Sequence, residues 1–245
     1  MITLQDVTKS YTLSKEHPVT AVSSVNLHVE QGEFLIITGR SGSGKTTLLN
    51  LVAGLTSPTS GHVLLEGADL WSLTDRQRSL LRNQKIGFIF QFPSLLPSLT
   101  VLENVTLPTI FRANGAQAGA HRRAGELLET VGLGDKLKAY PRQLSAGQQQ
   151  RVVIARALFN QPRVLLADEP TSDLDEQTEH EIVDLFRTIH AQTGVTIVMV
   201  THTTQLVSFG TRAIQMASGR VVDAEGTSRT ESGWRADGPG RTSSP

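Results

Sequence analysis

The chain has 245 residues, enough for one large domain or for a compact domain with an inserted lobe. Lys plus Arg and Asp plus Glu both number 23, so the formal net charge is zero, whereas a nucleic-acid-binding protein is expected to carry a basic excess. The chain contains no cysteine, which excludes disulfide scaffolds, thiolate zinc sites and a cysteine nucleophile. We therefore expect a globular protein without a nucleic-acid partner.

The longest apolar runs, at 195–200 and 34–37, are far shorter than the roughly 20 residues that a membrane-spanning helix needs. The N-terminus has neither a basic start nor an apolar h-region, so no secretory signal is visible. These features predict a cytoplasmic protein that does not itself cross a membrane.

Apolar and polar residues alternate in the N-terminal segment, where Val25, Leu27 and Val29 fall on one face. This period-2 pattern predicts half-buried antiparallel strands. The next run is continuously apolar, as in a parallel strand that is covered on both faces. Such runs occur at 34–37, 86–90, 164–167 and 195–200. Helical segments separate them, so the sequence predicts an α/β fold with a mainly parallel sheet and an N-terminal antiparallel β-subdomain.

The stretch 92–159 has helical patterning and no convincing strand. Thr100 and Glu103 have the spacing of a capping box at a helix start, and Gly132 is placed as a helix C-terminal stop. We predict that this stretch is an α-helical lobe inserted into the α/β core. The core would then comprise residues 1–91 and 160–222.

The C-terminal part contains one clear helical pattern and a polar tail. Apolar residues between Ile182 and Ile189 recur at helical spacing, which predicts an amphipathic helix over 176–192 that ends near Gly194. Residues 223–245 are rich in Gly, Ser, Thr, Arg and Pro, and we predict that they are disordered.

A phosphate-binding loop is indicated by the pattern GxxxxGK[ST]. The pattern follows the apolar strand at 34–37 and precedes an apolar helical run at 47–53, which is the context the motif requires. Glycines let consecutive backbone N–H groups surround an anion, and the helix adds the positive end of its dipole. Lys45 is then expected to neutralise the β- and γ-phosphates of a nucleotide, and the Thr46 hydroxyl to bind Mg²⁺. The predicted phosphate-binding residues are Gly39, Arg40, Ser41, Gly42, Ser43, Gly44, Lys45, Thr46 and Thr47.

Two carboxylates, Asp168 and Glu169, follow the apolar strand at 164–167. Such a pair is costly at the end of a buried strand unless a cation or a reaction uses it. Mg²⁺ held by Asp168, with Glu169 polarising the attacking water, would supply that use. The alternative is an acidic strand end that is merely solvated in a loop.

With these motifs and four further segments, the chain resembles the ATP-binding subunits of ABC transporters. The further segments are Gln91 after the strand at 86–90, the signature-like run 144–148 before a predicted helix at 149–159, the D-loop-like run 172–175, and His202 after the strand at 195–200. The resemblance covers residues 1–222 and implies a P-loop NTPase fold, with one ABC ATPase domain over that range.

The resemblance also implies individual roles. Gln91 would contact Mg²⁺ and the attacking water, His202 would sense the γ-phosphate, and Tyr11 would stack on adenine. The implied catalytic residues are Glu169, His202, Gln91 and Lys45, and the implied Mg²⁺ ligands are Thr46, Gln91 and Asp168.

In the resembling family two copies pair head to tail, and the signature of one copy closes on the ATP held by the other. The implied residues at this interface are Ser145, Ala146, Gly147 and Gln148 of the signature and Asp175 of the D-loop. Ala146 replaces the first glycine of the usual signature, which is harmless only if its φ is negative. Ser145 and Gly147 are therefore the expected main contacts. Asp173 replaces a small or amide residue and adds a negative charge near the interface.

The stretch 91–105 resembles that of the subgroup serving lipoprotein-release, macrolide-efflux and cell-division permeases. This implies a separate integral membrane permease as partner, of the export or mechanotransmission type, and a place at the cytoplasmic face of the inner or plasma membrane. The residues expected either to hold a coupling helix of the permease or to pack the lobe are Phe92, Leu95, Leu96 and Leu99.

Three other functions remain as alternatives. A soluble ABC ATPase of translation or DNA repair would usually have two ATPase units or a long coiled-coil insertion, neither of which fits one unit of this length. A nucleotide-gated regulator that does not hydrolyse ATP is disfavoured by the presence of Glu169 and His202. A P-loop kinase is disfavoured by the signature and by the lack of a recognisable acceptor pocket or lid.

Overall fold

The computed structural model describes residues 1–12, 18–111 and 119–222. These residues form an antiparallel sheet and a larger, mostly parallel sheet, with helices around them. No helix in these ranges is both long enough and apolar enough to cross a bilayer. The predicted disorder of 223–245 concerns residues outside the described ranges.

The N-terminal sheet is antiparallel, as the alternating pattern predicts. Its strands are β1 (Ile2–Thr12), β2 (Pro18–Val29), β4 (Ser60–Leu65) and β5 (Ala68–Asp69), in the spatial order β2-β1-β4-β5. Val25, Leu27 and Val29 are buried. The sequence patterns did not predict β4 and β5, because their apolar run is short and is bounded by glycines.

The larger sheet confirms the prediction of a mainly parallel α/β core. Its strands are β3 (Phe34–Thr38), β6 (Ile86–Ile89), β7 (Val164–Asp168), β8 (Thr196–Thr201), β9 (Arg212–Ala217) and β10 (Arg220–Val222). The spatial order is β10-β9-β3-β8-β7-β6, and only the pairing of β10 with β9 is antiparallel among these strands. Every residue of β3, β7 and β8 is buried, as expected for strands covered on both faces. Their carboxyl ends lie side by side at one edge of the sheet.

Six α-helices lie in the described ranges: α1 (Lys45–Val52), α2 (Asp75–Lys85), α3 (Val101–Thr106), α4 (Ala120–Thr130), α5 (Ala146–Leu158) and α6 (Glu176–Thr193). The bounds of α6 agree with the amphipathic pattern, and Gly194 ends it in the left-handed conformation with φ 64°. Helix α2 was not predicted, because it has no buried residue and therefore no apolar stripe.

The described residues between 92 and 159 contain α3, α4 and α5 and no strand. Thr100 caps α3 through a capping box with Glu103, as its spacing predicts, and Gly132 follows α4 with φ 78°. One boundary differs from the sequence interpretation, which placed the signature before a helix at 149–159. Helix α5 begins at Ala146, so the signature forms its cap and first turn.

The two faces of the parallel sheet pack against different layers. One buried cluster joins Phe34 and Ile197 to α5 and α6 and to Val105 and Leu128 in the helical stretch. A second cluster joins the opposite sheet face to α1 and the antiparallel sheet. Apolar burial on both faces therefore fixes the strand ends from which the site is built.

Candidate nucleotide-binding site

The loop between β3 and α1 has the backbone geometry of an anion cradle. Gly39, Gly42 and Gly44 have φ values of 151°, 77° and 103°, a region that favours glycine. A Cβ at Gly44 would also overlap the carbonyl oxygen of Ala21. Because Gly44 directly precedes α1, the loop leads into a helix N-terminus whose first N–H groups lack intrahelical partners. An open cleft of about 510 Å³ adjoins the loop, between residues 40–43 and 215–218.

Lys45 lies inside this loop and is only 4% exposed. Its Nζ donates hydrogen bonds to the carbonyl oxygens of Gly39, at 2.8 Å, and Arg40, at 3.3 Å. The same Nζ lies 3.3 Å from Oε1 of Glu169. The ammonium group is thus held by oxygen atoms at the place where a phosphate oxygen would compete for it.

Thr46 and Asp168 form an oxygen-ligand pair beside this ammonium group. The Thr46 hydroxyl donates to Oδ1 of Asp168 at 3.0 Å. Burial raises the pKa of Asp168, and the nearby charge of Glu169 acts in the same direction, against the opposing effects of Thr46 and Lys45. Hard oxygen ligands of this kind fit Mg²⁺, which often uses one or two carboxylates together with substrate phosphates. The described residues contain no group of three or more His, Cys, Asp or Glu side chains that could hold a metal ion.

Glu169 connects the lysine to His202. Its Oε2 lies 3.0 Å from Nδ1 of His202, which follows β8. Glu169 has φ 44°, a strained conformation for a residue with a side chain, and its N–H donates to the carbonyl oxygen of Val200 at 3.0 Å. Strained residues of this kind cluster at functional sites, and this turn directs a carboxylate at the phosphate-binding loop.

Gln91 and Tyr11 lie further from this cluster. Gln91 is exposed, two residues beyond Ile89, and Ile89 pairs with Ala167 on β7. Gln91 therefore leaves the sheet at the same level as Glu169. Tyr11 is at the end of β1, 38% exposed, with the Lys9 ammonium 5.0 Å from its ring centroid. Within the described ranges, no hydrogen bond or ion pair joins either side chain to the phosphate-binding loop.

Ser145 is the N-cap of α5. Its Oγ accepts a hydrogen bond from the Gln148 N–H at 3.3 Å, and Oε1 of Gln148 accepts one from the Ser145 N–H at 3.1 Å. Ala146 is the first helical residue and does not have a positive φ. Its methyl group is therefore tolerated at the position where the usual signature has a glycine. Ser145 and Ala146 are exposed, whereas Gly147 is buried.

Asp175 has the same capping position at the start of α6. Its Oδ1 accepts from the Thr178 N–H at 3.0 Å, and its Oδ2 accepts from the Thr178 hydroxyl at 2.7 Å. These bonds lower the pKa of Asp175. Asp173 is exposed. Thr178 was missed by sequence reasoning, although Asp at a helix start is a recognisable N-cap whose side chain bonds the N–H of the second or third helical residue.

Comparisons with known proteins bear on the family and the fold of this chain. The sequence pattern of the family described as "ABC transporter" matches residues 22–172. A protein of Thermotoga maritima described as an uncharacterized ABC transporter ATP-binding protein is 50% identical over 222 residues, which are 91% of this chain and 94% of that protein. The macrolide export ATP-binding/permease protein MacB of Rhodopirellula baltica is 44% identical over 224 residues, which are 91% of this chain but only 33% of that protein.

A solved structure agrees with the fold. It is the dimeric, post-hydrolysis state of the ATP-binding cassette MJ0796 of Methanocaldococcus jannaschii, bound to ADP and Pi. It matches with a TM-score of 0.83 and 43% identity, covering 90% of this chain and 96% of that chain. The P-loop NTPase fold and the family resemblance are therefore confirmed.

Proposed function

The chain belongs to the family of ABC transporter ATP-binding proteins, which hydrolyse ATP, and we propose that it uses ATP to drive a separate membrane permease. One observation carries the site assignment. Lys45 inside the phosphate-binding loop contacts Glu169, which contacts His202, while Thr46 contacts Asp168 in the same cluster. The ammonium group, the carboxylate and the oxygen-ligand pair that the proposed chemistry requires are thus together at the ends of β3, β7 and β8.

Binding of ATP begins with an exchange of partners by Lys45. The triphosphate would take the ammonium group away from the Gly39 and Arg40 carbonyl oxygens and from Glu169, and the loop N–H groups would bind the remaining oxygens. Tyr11 would stack on the adenine ring. Thr46, Asp168 and Gln91 would hold Mg²⁺, which would neutralise charge on the phosphate oxygens.

Hydrolysis then uses the carboxylate that Lys45 has released. Glu169 would accept a proton from the water whose oxygen attacks the γ-phosphorus, while the bond to the β-phosphate oxygen breaks. His202, 3.0 Å from Glu169, would orient this carboxylate and contact the γ-phosphate. These residues act at the ends of strands that are rigidly packed, which keeps the attacking geometry fixed.

We further propose that two copies close head to tail around two ATP molecules. Ser145, Gly147 and the first N–H groups of α5 would bind the γ-phosphate held by the other copy, with Ala146 and Gln148 completing the segment. Asp175 would lie at the same interface. Support comes from the dimeric state of the related MJ0796 cassette. Hydrolysis would remove the γ-phosphate that joins the two copies, so the dimer would open after each turnover and close again when new ATP binds.

The permease partner is supported by a relative and by a surface. The related MacB is named as an ATP-binding/permease protein, and this chain matches one third of it. A cleft of about 380 Å³ between the core and the helical stretch is lined by residues that include Phe88, Phe90 and Arg156. Phe92 is 65% exposed next to Phe90, whereas Leu95 is buried in the core.

The apolar candidates for permease contact therefore separate into two groups. Phe92 and Leu96 are exposed and would contact a coupling helix, while Leu95 and the half-buried Leu99 pack the helical stretch. This surface would place the chain at the cytoplasmic face of the membrane, on a permease of the export or mechanotransmission type.

Phosphate release by the purified chain and by Glu169→Gln tests the proposed chemistry. We expect the substitution to reduce turnover by about 100-fold or more while ATP-stabilised dimers accumulate, because amide nitrogen and oxygen cannot accept the proton. Equal turnover by both proteins would rule out Glu169 as the base. Absence of turnover in the unsubstituted chain, alone and with its permease, would favour the alternative of a nucleotide-gated regulator.

A further inference from the structure

The side chain of Thr178, on α6, connects the signature to the D-loop of the same chain. A Cβ at position 147 would lie 2.5 Å from Cγ2 of Thr178, far inside the normal contact distance between carbon atoms. Gly147 is buried by residues of its own chain. The need for glycine at this position therefore arises within the chain.

The other branch of Thr178 contacts the D-loop. Its hydroxyl donates to Oδ2 of Asp175 at 2.7 Å, and its backbone N–H donates to Oδ1 at 3.0 Å. The methyl and hydroxyl groups of a β-branched side chain rotate together about χ1. Rotation that moved the methyl group away from residue 147 would also move the hydroxyl away from Asp175.

A side chain at 147 thus has two ways to be accommodated, and both disturb the interface. Either α5 and α6 move apart, or Thr178 rotates and releases Asp175. In each case the signature and the D-loop lose their fixed relation.

We propose that Thr178 is a positioning residue that couples the signature segment to the D-loop within one copy. The two segments would then meet the partner copy as one unit, with a spacing set before ATP arrives. This inference rests on the proposed function, in which both segments face the partner's nucleotide. It assigns the small size of Gly147 to packing against Thr178, in addition to any contact with phosphate.

A double-mutant cycle tests the contact. We expect Gly147→Ala to lower ATP turnover by about tenfold or more, and by no more than about threefold when introduced into Thr178→Ser, which keeps the hydroxyl and removes the methyl group. Thr188→Ser is the matched control, because Thr188 is on the exposed face of the same helix. In the Thr188→Ser background, Gly147→Ala should lower ATP turnover by the same factor of about tenfold or more. An equal loss in all backgrounds would overturn the coupling.

The hydrogen bond from the Thr178 hydroxyl to Asp175 is tested separately with Thr178→Val, which removes the hydroxyl and keeps the methyl group next to Gly147. In a Glu169→Gln background we expect ATP-dependent dimerisation to weaken about threefold to tenfold, with no change in ATP affinity of the dilute single chain. If the Glu169→Gln protein dimerises equally tightly with and without Thr178→Val, the coupling is overturned. This result does not depend on whether the Gly147→Ala protein folds. Failure of the Glu169→Gln chain itself to dimerise with ATP would instead overturn the proposed function.

Discussion

Ser145 has a structural role in its own chain and a proposed role on the partner's phosphate, and two substitutions separate them. Ser145→Ala removes the side-chain oxygen that accepts from the Gln148 N–H. Loss of an N-cap of this kind typically costs about 1 kcal/mol. For a protein of this size, that corresponds to a fall of about 2–4 °C in the thermal midpoint.

Ser145→Asp should keep the cap and lose the dimer. A carboxylate accepts the same hydrogen bond and is favourable at the positive end of α5, so we expect the midpoint of the nucleotide-free protein to stay the same or rise. In the closed dimer the carboxylate would face the partner's γ-phosphate. Like charges at such an interface cost several kcal/mol, which corresponds to at least about a 100-fold weaker dimer.

The assays are thermal unfolding without nucleotide and size-exclusion chromatography with ATP, the latter in the Glu169→Gln background. Thr100→Asp is the matched control, because Thr100 caps α3 through the same kind of capping box outside the signature. This control should dimerise normally. If Ser145→Asp dimerises as tightly as the control, Ser145 does not lie at the partner's phosphate and the head-to-tail arrangement is refuted.

Three further substitutions test other parts of the site. Asp168→Asn should raise the thermal midpoint of the nucleotide-free protein at neutral pH and abolish turnover. Because burial raises the pKa of Asp168, its ionised form destabilises the folded protein above that pKa, and this destabilisation is absent below the unfolded pKa of 3.8. A higher thermal midpoint of the variant that persisted at pH 3.5 would contradict this reasoning. Tyr11→Ala should weaken ATP binding by about tenfold, as loss of one base stack typically costs 1–3 kcal/mol, whereas Tyr11→Trp should not; equal affinities measured by calorimetry would exclude stacking. Phe92→Asp should leave the turnover of the isolated chain intact and remove its response to the permease in reconstituted vesicles, and an unchanged response would place the coupling surface elsewhere.

The sequence was most informative where burial is complete. β3, β7 and β8 are buried along their whole length and mostly apolar, so their positions and the parallel sheet could be predicted, and with them the residues at their carboxyl ends. Helix α2 has no buried residue and β4 has few, so neither gave a hydrophobic pattern. The start of α5 was placed late because its first turn contains a glycine and glutamines, which have no apolar periodicity.

The sequence predicted roles for the site residues but not the contacts between their side chains. The motifs indicated that Lys45 and Glu169 act on the same phosphate, but not that Nζ of Lys45 lies 3.3 Å from Oε1 of Glu169. That contact depends on the strained turn at Glu169 and on the burial of the lysine, which arise from packing between strands distant in sequence. The close approach of Gly147 to Thr178 likewise depends on how α5 crosses α6.

The contact between Lys45 and Glu169 also bears on which anions can occupy the loop. A carboxylate tethered to the same chain acts as a competitor at high effective concentration, so a small monovalent ion such as chloride or acetate gains little by replacing it. A ligand with several linked negative charges can displace the carboxylate and engage the backbone amides together. The loop thereby discriminates against the salts of its surroundings in favour of polyphosphates.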